Sequence, residues 1–592
     1  MHKQLSFKFL MPLMILFAAV TIFSCKKDDV NNPTPNLPDL QSRVTSSVSG
    51  FVSDENNLPV SGATVKVGSS TSSTDEYGFF SFRDVQVVKN AAVVTVTHSG
   101  YFKGMRTYIA EAGKSAVVRI KLLPKTTIGS IDGAAGGSAT AADGLKVELP
   151  ASGVVDASGA AYTGPVTVSA KWLNPAADDF AQIMPGDLRA LNTSGEMRTL
   201  LSYGMAAVEL TGSGGQALQV APGKKSTVSF PLPSTLQGPA PASIPLWHFD
   251  EEKGLWIEEG TATKVGDKYV GEVSHFSFWN CDVPANYVQF NVTVHDANGN
   301  PVPWAVVKLT MVNSPFTATH GITDSSGYVN GAIPANTDLV MTVFSGYNCG
   351  SPLITQTIPG SNTNISLGTI TLPAANMATV SGTITNCAMQ PVTDGYVIMN
   401  VSGIPYRYPV DNTGAFTFSF PICAGNSTVT IIAEDIAGSQ QSTPVTHTLT
   451  TGANALGNLQ ACGVTTSQFM TYTVNGNPYT FTAPGDSLYM SGNGTNNMFM
   501  VGAFQVTGNR WAQLAIERTG IGVGTAQEAY YFQSSDINDS TRMISPPNIV
   551  NITEYGNIGE FISGNYNLIL TGEPPTNQTY TVNGSFRVRR TW

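Results

Sequence analysis

Three times along its 592 residues this chain repeats one plan. An apolar strand runs into a polar turn closed by Pro, a second strand alternates in character, and an Asp then stands three residues ahead of a Gly. The first copy runs from Val48 through Pro59 and Ala63–Val67 to Asp75 and Gly78. The second runs from Val292 through Pro301 and Ala305–Leu309 to Asp324 and Gly327. The third runs from Val380 through Pro391 and Gly395–Met399 to Asp411 and Gly414. Pro cannot donate to a ladder, so it restarts the chain at a sheet edge. Ala63, Val65 and Val67 then share one face, and Thr64 and Lys66 the other. Asp-x-x-Gly is a tight turn whose Gly takes positive φ. The first copy ends with Val118, Ile120 and Leu122 alternating with Arg119 and Lys121. Strands with one apolar face must be covered, so each copy predicts a small two-sheet sandwich. Val65, Val118 and Ile120 are expected in its core, with Lys66, Arg119 and Lys121 facing water. Modules of this kind fold on their own and are expected to couple only weakly.

Composition agrees with an all-β, extracytoplasmic chain. Charged residues make up 12%, against about 25% in an average soluble protein. Gly (58) and Pro (35) are abundant, and beyond the first 24 residues no apolar stripe of helical period lasts three turns. The predicted fold class is therefore all-β: tandem Ig-like or prealbumin-like β-sandwich domains in an elongated array. The net charge of −10 argues against nucleic acid as a partner and against a basic membrane-binding face.

The repeated phrase resembles the carboxypeptidase regulatory-like domain over 45–124, 287–373 and 378–463. The resemblance implies seven-stranded transthyretin-like sandwiches that accompany other domains and carry no chemistry of their own. Residues 127–283 form a larger β-rich unit with Gly136-Gly137, Leu145–Pro150, Met184–Asp187, a hairpin of Ile244–Trp247 with Leu255–Glu258, and His275–Trp279. It resembles the extracellular region of cartilage intermediate layer proteins and is similar to the ZU-type sandwich, which implies protein interaction or structure. Residues 465–592 form a last β domain, whose Tyr555–Phe561, Gly564–Tyr566 and Gly584–Phe586 look like the C-terminal domains of Bacteroidetes lipoproteins. Asn475-Gly476 and Asn583-Gly584 there predict type I′ hairpins.

The N-terminus says where such a chain lives. Lys3 and Lys8 precede an apolar run from Phe9 to Phe23, too short to span a membrane and suited to a secretory signal over 1–24. Ile22–Cys25 resembles the lipobox of bacterial lipoproteins, although Phe23 is larger than usual there. The resemblance implies that Cys25 is acylated and tethers the chain to the outer membrane through a flexible segment, 25–44. Lys26, Lys27, Asp28 and Asp29 resemble the export signal that sends Bacteroidetes lipoproteins to the cell surface. Asp486–Leu488 and Asp539–Thr541 resemble an O-glycosylation sequon of the same group, with Ser487 and Ser540 as acceptors.

An oxidising envelope permits disulfides, and Cys281, Cys349, Cys387, Cys423 and Cys462 are the candidates. Their spacing is too wide for a compact zinc site. Cys387, Cys423 and Cys462 share one module and are expected to include one bridge, whose pairing the sequence leaves open. His248-x-x-Glu251 spells a zinc-carboxypeptidase motif, but it spans a strand end and its turn, with no α/β scaffold to receive it. Asp296, Asn298 and Asn300 have calcium-loop spacing without the closing Glu and read as a polar turn. Trp247, Trp256 and Trp279 read as sandwich core rather than a glycan platform. No catalytic residue, cofactor or metal is expected. The reading is a non-catalytic structural or adhesive surface lipoprotein presenting its distal domains to a protein or glycan. The alternatives are a glycan-binding accessory of nutrient uptake and, less well supported, a hydrolase.

Overall fold

The first module is built from β1 (Arg43–Ser53), β2 (Thr64–Val67), β3 (Ser70–Ser73), β4 (Phe79–Val88), β5 (Ala92–Thr97), β6 (Gly104–Tyr108) and β7 (Ser115–Lys121). One sheet has the order β4-β1-β7, with β1 and β7 parallel, and the other the order β3-β2-β5-β6. Val48, Val65, Val94, Ile120 and Leu122 fill the space between them. The computed structural model describes residues 38–592 apart from 76, 315, 347–350, 375–376, 402, 423–425, 484–485, 493–497, 506–507, 538–541, 546–547, 556–560, 573–577 and 591–592. Cys25, Lys26, Lys27, Asp28, Asp29, Cys349, Cys423 and Ser540 lie outside the described residues.

The second and third copies of the phrase fold the same way. Tyr287–His295 pairs in parallel with Ile365–Thr371 and antiparallel with Tyr328–Pro334, as β1 does with β7 and β4. Met377–Thr385 does the same with Gly452–Gln460 and Ala415–Pro421. The turn chemistry recurs residue for residue. Asp75 Oδ1 accepts from the backbone N–H of Tyr77 and Phe79, both at 2.9 Å. Asp324 and Asp411 serve their own turns likewise. Gly78, Gly327 and Gly414 have φ of 69°, 76° and 78°. A Cβ on Gly78 would also stand 2.2 Å from the Val52 carbonyl oxygen, so close approach and φ both require glycine. The chain is thus a tandem series of β-sandwich modules.

Residues 127–283 form a 13-stranded sheet system, with its own core around Val147, Val168, Phe230, Tyr269 and Trp279. The tail forms a ten-stranded antiparallel sheet from Phe469–Val474 to Thr579–Arg589, and among the described residues its core draws on no other module. The expected Asn475-Gly476 hairpin is present, with φ of 50° and 87° at the two turn residues. The Asn583-Gly584 hairpin is not: Thr579–Arg589 runs straight through it. A Cβ on Gly584 would meet the Tyr566 ring at 2.4 Å, so this glycine makes room for an aromatic ring on the neighbouring strand instead of a turn.

The three repeats and the middle domain are not independent beads. Ile322 pairs with Val117, which joins the first module's sheet to that of 287–373 in one seven-stranded sheet. Phe51 and Phe79 of the first module, Trp304 and Ile322 of the second copy, and Tyr396 and Tyr406 of the third share one apolar cluster. Phe102, Met105 and Leu123 enter another with Trp247, Phe249 and Trp256. This corrects the expectation that Arg119 and Lys121 face water. The alternation holds, because Val118 and Ile120 are buried, but the other face of β7 is an interface. Arg119 lies over the rings of Phe51 and Tyr406 at 5.7 and 5.6 Å. Lys121 Nζ is 2.8 Å from Asp179 of the middle domain. Ile120→Ala should cost about 2–5 kcal/mol through its cavity. Lys121→Ala should cost about 1 kcal/mol or less, because Asp179 is partly solvated. Urea unfolding of the full chain measures both, and equal losses would put β7 one residue out of register.

Candidate functional site

Most of the side chains singled out in the sequence are spent on structure. Trp247, Trp256 and Trp279 are buried, and their indole N–H groups donate to the carbonyls of Asp282, Asp187 and His275 at 2.9–3.1 Å. Asp296 accepts from the N–H of Asn298 and Asn300 at 2.8 Å and from Ser419 Oγ of the next module. Cys387 and Cys462 form a disulfide, so the third copy does contain one bridge. Cys281 is a buried free thiol whose pKa burial pushes well up. Ser487 sits half-buried on the strand Asp486–Gly492.

Two places bring ionisable groups together. The first is a cavity of about 620 Å³ enclosed by the first module, the middle domain and 287–373. Arg106, Arg119, Arg189, Lys308 and His320 line it, with Glu111 and Asp187 among the acids. Arg106 donates to the Gly186 carbonyl at 2.9 Å, and burial lowers its guanidinium to about 10, so it stays charged. Burial, helped by the charges of Arg106 and Lys308, takes the His320 imidazole down to about 3 and keeps it neutral. Glu111 accepts from Tyr328 Oη and Asn330 Nδ2, each at 2.6 Å. The result is a cation-leaning chamber inside an acidic chain. It exists only because three modules meet there.

The second place is on the middle domain. Ser243–Asp250 and Leu255–Val265 form a hairpin through the turn at Glu251–Gly254. His248 does not meet Glu251, which instead reaches Lys103 of the first module. His248 Nδ1 stands 3.0 Å from Glu259 Oε2, and His275 Nε2 stands 3.8 Å from the same oxygen. Burial chiefly, and then the neighbouring His275, lower the His248 pKa, against the pull of Glu259. Ser274 Oγ donates to Glu259 Oε1 at 2.5 Å. The sequence pointed to His248 and His275 separately and missed Glu259. No spacing rule links it to them, because a register shift between Pro245 and Trp247 sets which residue of one strand lies beside the other.

Comparison with known proteins finds one matching family and several partial relatives. Residues 47–123 match the carboxypeptidase regulatory-like domain. The chain is 31% identical over 124 residues to cartilage intermediate layer protein 2 of Homo sapiens, a match covering 20% of this chain and 10% of that protein. It is 34% identical over 119 residues to cartilage intermediate layer protein 1 of Sus scrofa, covering 19% of each. The chain therefore spans only a small part of the length of these relatives. Among solved structures, the shaft pilin spaA of Lactobacillus rhamnosus GG aligns at 9% identity over 30% of this chain and 97% of its own, with a TM-score of 0.16. The streptococcal ancillary pilin aligns at 10% identity over 38% and 93%, with a TM-score of 0.14. Scores this low define no common architecture.

Proposed function

We propose that this chain is a non-catalytic structural or adhesive lipoprotein, held by Cys25 in the outer membrane and exposed at the cell surface. The observation that carries the structural part is the contrast between two kinds of core. The regulatory-like modules and the middle domain share apolar clusters across their boundaries, whereas 465–592 keeps a core of its own. A mount of fused modules holds position, and a separately folded domain on it is free to meet a partner. Lys26, Lys27, Asp28 and Asp29 are assigned as the export signal, with Ser487 and Ser540 as glycosylation acceptors.

Cys25→Ser should abolish acylation and release the chain from the membrane fraction. Among the described residues no helix is long and apolar enough to cross a membrane. If the variant stays in the outer-membrane pellet after a carbonate wash, the lipid is not the anchor. The second reading, a glycan-binding accessory of a nutrient-uptake system, draws support from Phe504 and Trp511. They pair across two strands of the tail domain and stay exposed, a surface on which a sugar ring can stack. A glycan array separates the two readings.

A further inference from the structure

We propose that His248, Glu259 and His275 form a three-ligand site for a divalent transition metal, with Zn²⁺ the ion their chemistry suits. Two imidazoles and one carboxylate are the donor set of borderline metals; Ca²⁺ and Mg²⁺ favour all-oxygen sites. The distances fit as well. The three ligand atoms lie within 4.8 Å of one another. Around a tetrahedral ion with bonds of about 2.0–2.1 Å, neighbouring ligand atoms stand roughly 3.3 Å apart. The distances of 3.0 and 3.8 Å from Glu259 Oε2 to the two imidazole nitrogens fall on either side of that spacing. Small side-chain rotations close the site without moving a strand.

The surroundings hold the ligands as a metal site requires. His248 and Glu259 come from the two strands of one hairpin. His275 comes from the short link between Lys268–Val273 and Phe278–Ala285. The Ser274 bond to Glu259 Oε1 leaves Oε2 turned towards the imidazoles, the usual task of an outer-shell partner. Trp279 packs against both rings, with centroids at 5.5 and 5.1 Å, and fixes their orientation. His248 Nδ1 is buried without a hydrogen-bond partner, because Glu259 is near but poorly aligned. The side chains of His275 and Glu259 remain 32% and 40% exposed, so a fourth position is open to water or to a donor from a partner.

The test uses the full chain in detergent, stripped with chelator and titrated with ZnCl₂ by calorimetry. We expect one Zn²⁺ per chain and a melting temperature raised by the metal. His275→Ala and Glu259→Gln should each weaken Zn²⁺ at least tenfold and remove the thermal shift. Ser274→Ala should keep the stoichiometry and weaken affinity about tenfold, as loss of an outer-shell bond does. His447→Ala, in another module, should change nothing. Co²⁺ substitution should give the visible absorption of a tetrahedral site in the parent and lose it in His275→Ala. Less than one Zn²⁺ per chain at saturation, or equal binding by parent and His275→Ala, would overturn the proposal and leave a His–Glu ion pair.

Discussion

Replacing Arg407 with Met should destabilise the chain by about 3–5 kcal/mol, the usual cost of stranding a buried charge. Arg407 belongs to the third copy of the repeat, and its side chain is only 3% exposed. Its guanidinium donates to Glu434 of its own module and to Asp75 of the first. It also lies over the ring of Phe79 at 4.6 Å. Without it, Glu434 keeps Gln441 Nε2 at 2.9 Å but loses its only cation among the described ion pairs. Arg407→Lys should recover part of the loss, because an ammonium cannot present two parallel donors to two carboxylates. Trp304 reports on the event, since its indole N–H donates to the Arg407 carbonyl at 2.9 Å. Urea unfolding followed by tryptophan fluorescence should show the first module and 378–463 loosening together. The comparison is Arg83 with Asp394, another pair across the same boundary at 2.7 Å. Those side chains are 53% and 40% exposed, so Arg83→Ala should cost about 1 kcal/mol or less. Equal costs for Arg407→Met and Arg83→Ala would mean that water reaches the junction.

Removing the Cys387–Cys462 disulfide should cost about 4 kcal/mol. The bond closes a loop with a sequence separation of 75, and chain-entropy loss of the unfolded state grows slowly with such a length. It ties the turn after Met377–Thr385 to the end of Gly452–Gln460, where Thr385 already pairs with Gln460. The native contacts therefore survive reduction, and the effect should appear as a lower unfolding midpoint rather than an altered fold. The double variant Cys387→Ser, Cys462→Ser should show this lowered midpoint relative to the parent. Cys281 complicates neither measurement: it is fully buried and its thiol is held protonated, so it should resist alkylation until the middle domain unfolds. A midpoint unchanged by reduction would mean that the unfolded chain is already compact around this loop.

How far the residues alone reached can be seen strand by strand. Val65, Val118 and Ile120 were legible as core because alternation fixes which face of a strand is apolar. Pro59, Pro301 and Pro391 were legible as turn closers, and each does bridge back across its turn. Gly78, Gly327 and Gly414 followed from the φ that a tight turn demands. Asn475-Gly476 followed from the same rule. Asn583-Gly584 did not, because glycine also serves where a neighbouring ring approaches, and that ring, Tyr566, comes from another strand.

What the sequence by itself determined was the all-β class and the repeated sandwich plan, because period-two alternation and turn chemistry act between residues a few positions apart. The tertiary structure decided what lies against the outer face of each strand. Arg119 and Lys121 read as solvated, yet they meet Tyr406 and Asp179, residues that no local rule connects to them. It also decided that His248, Glu259 and His275 converge, since their meeting depends on the register of a hairpin and the path of a link between strands. Local energetics choose the elements. Which elements meet is settled by long-range burial, where each contact depends on all the others.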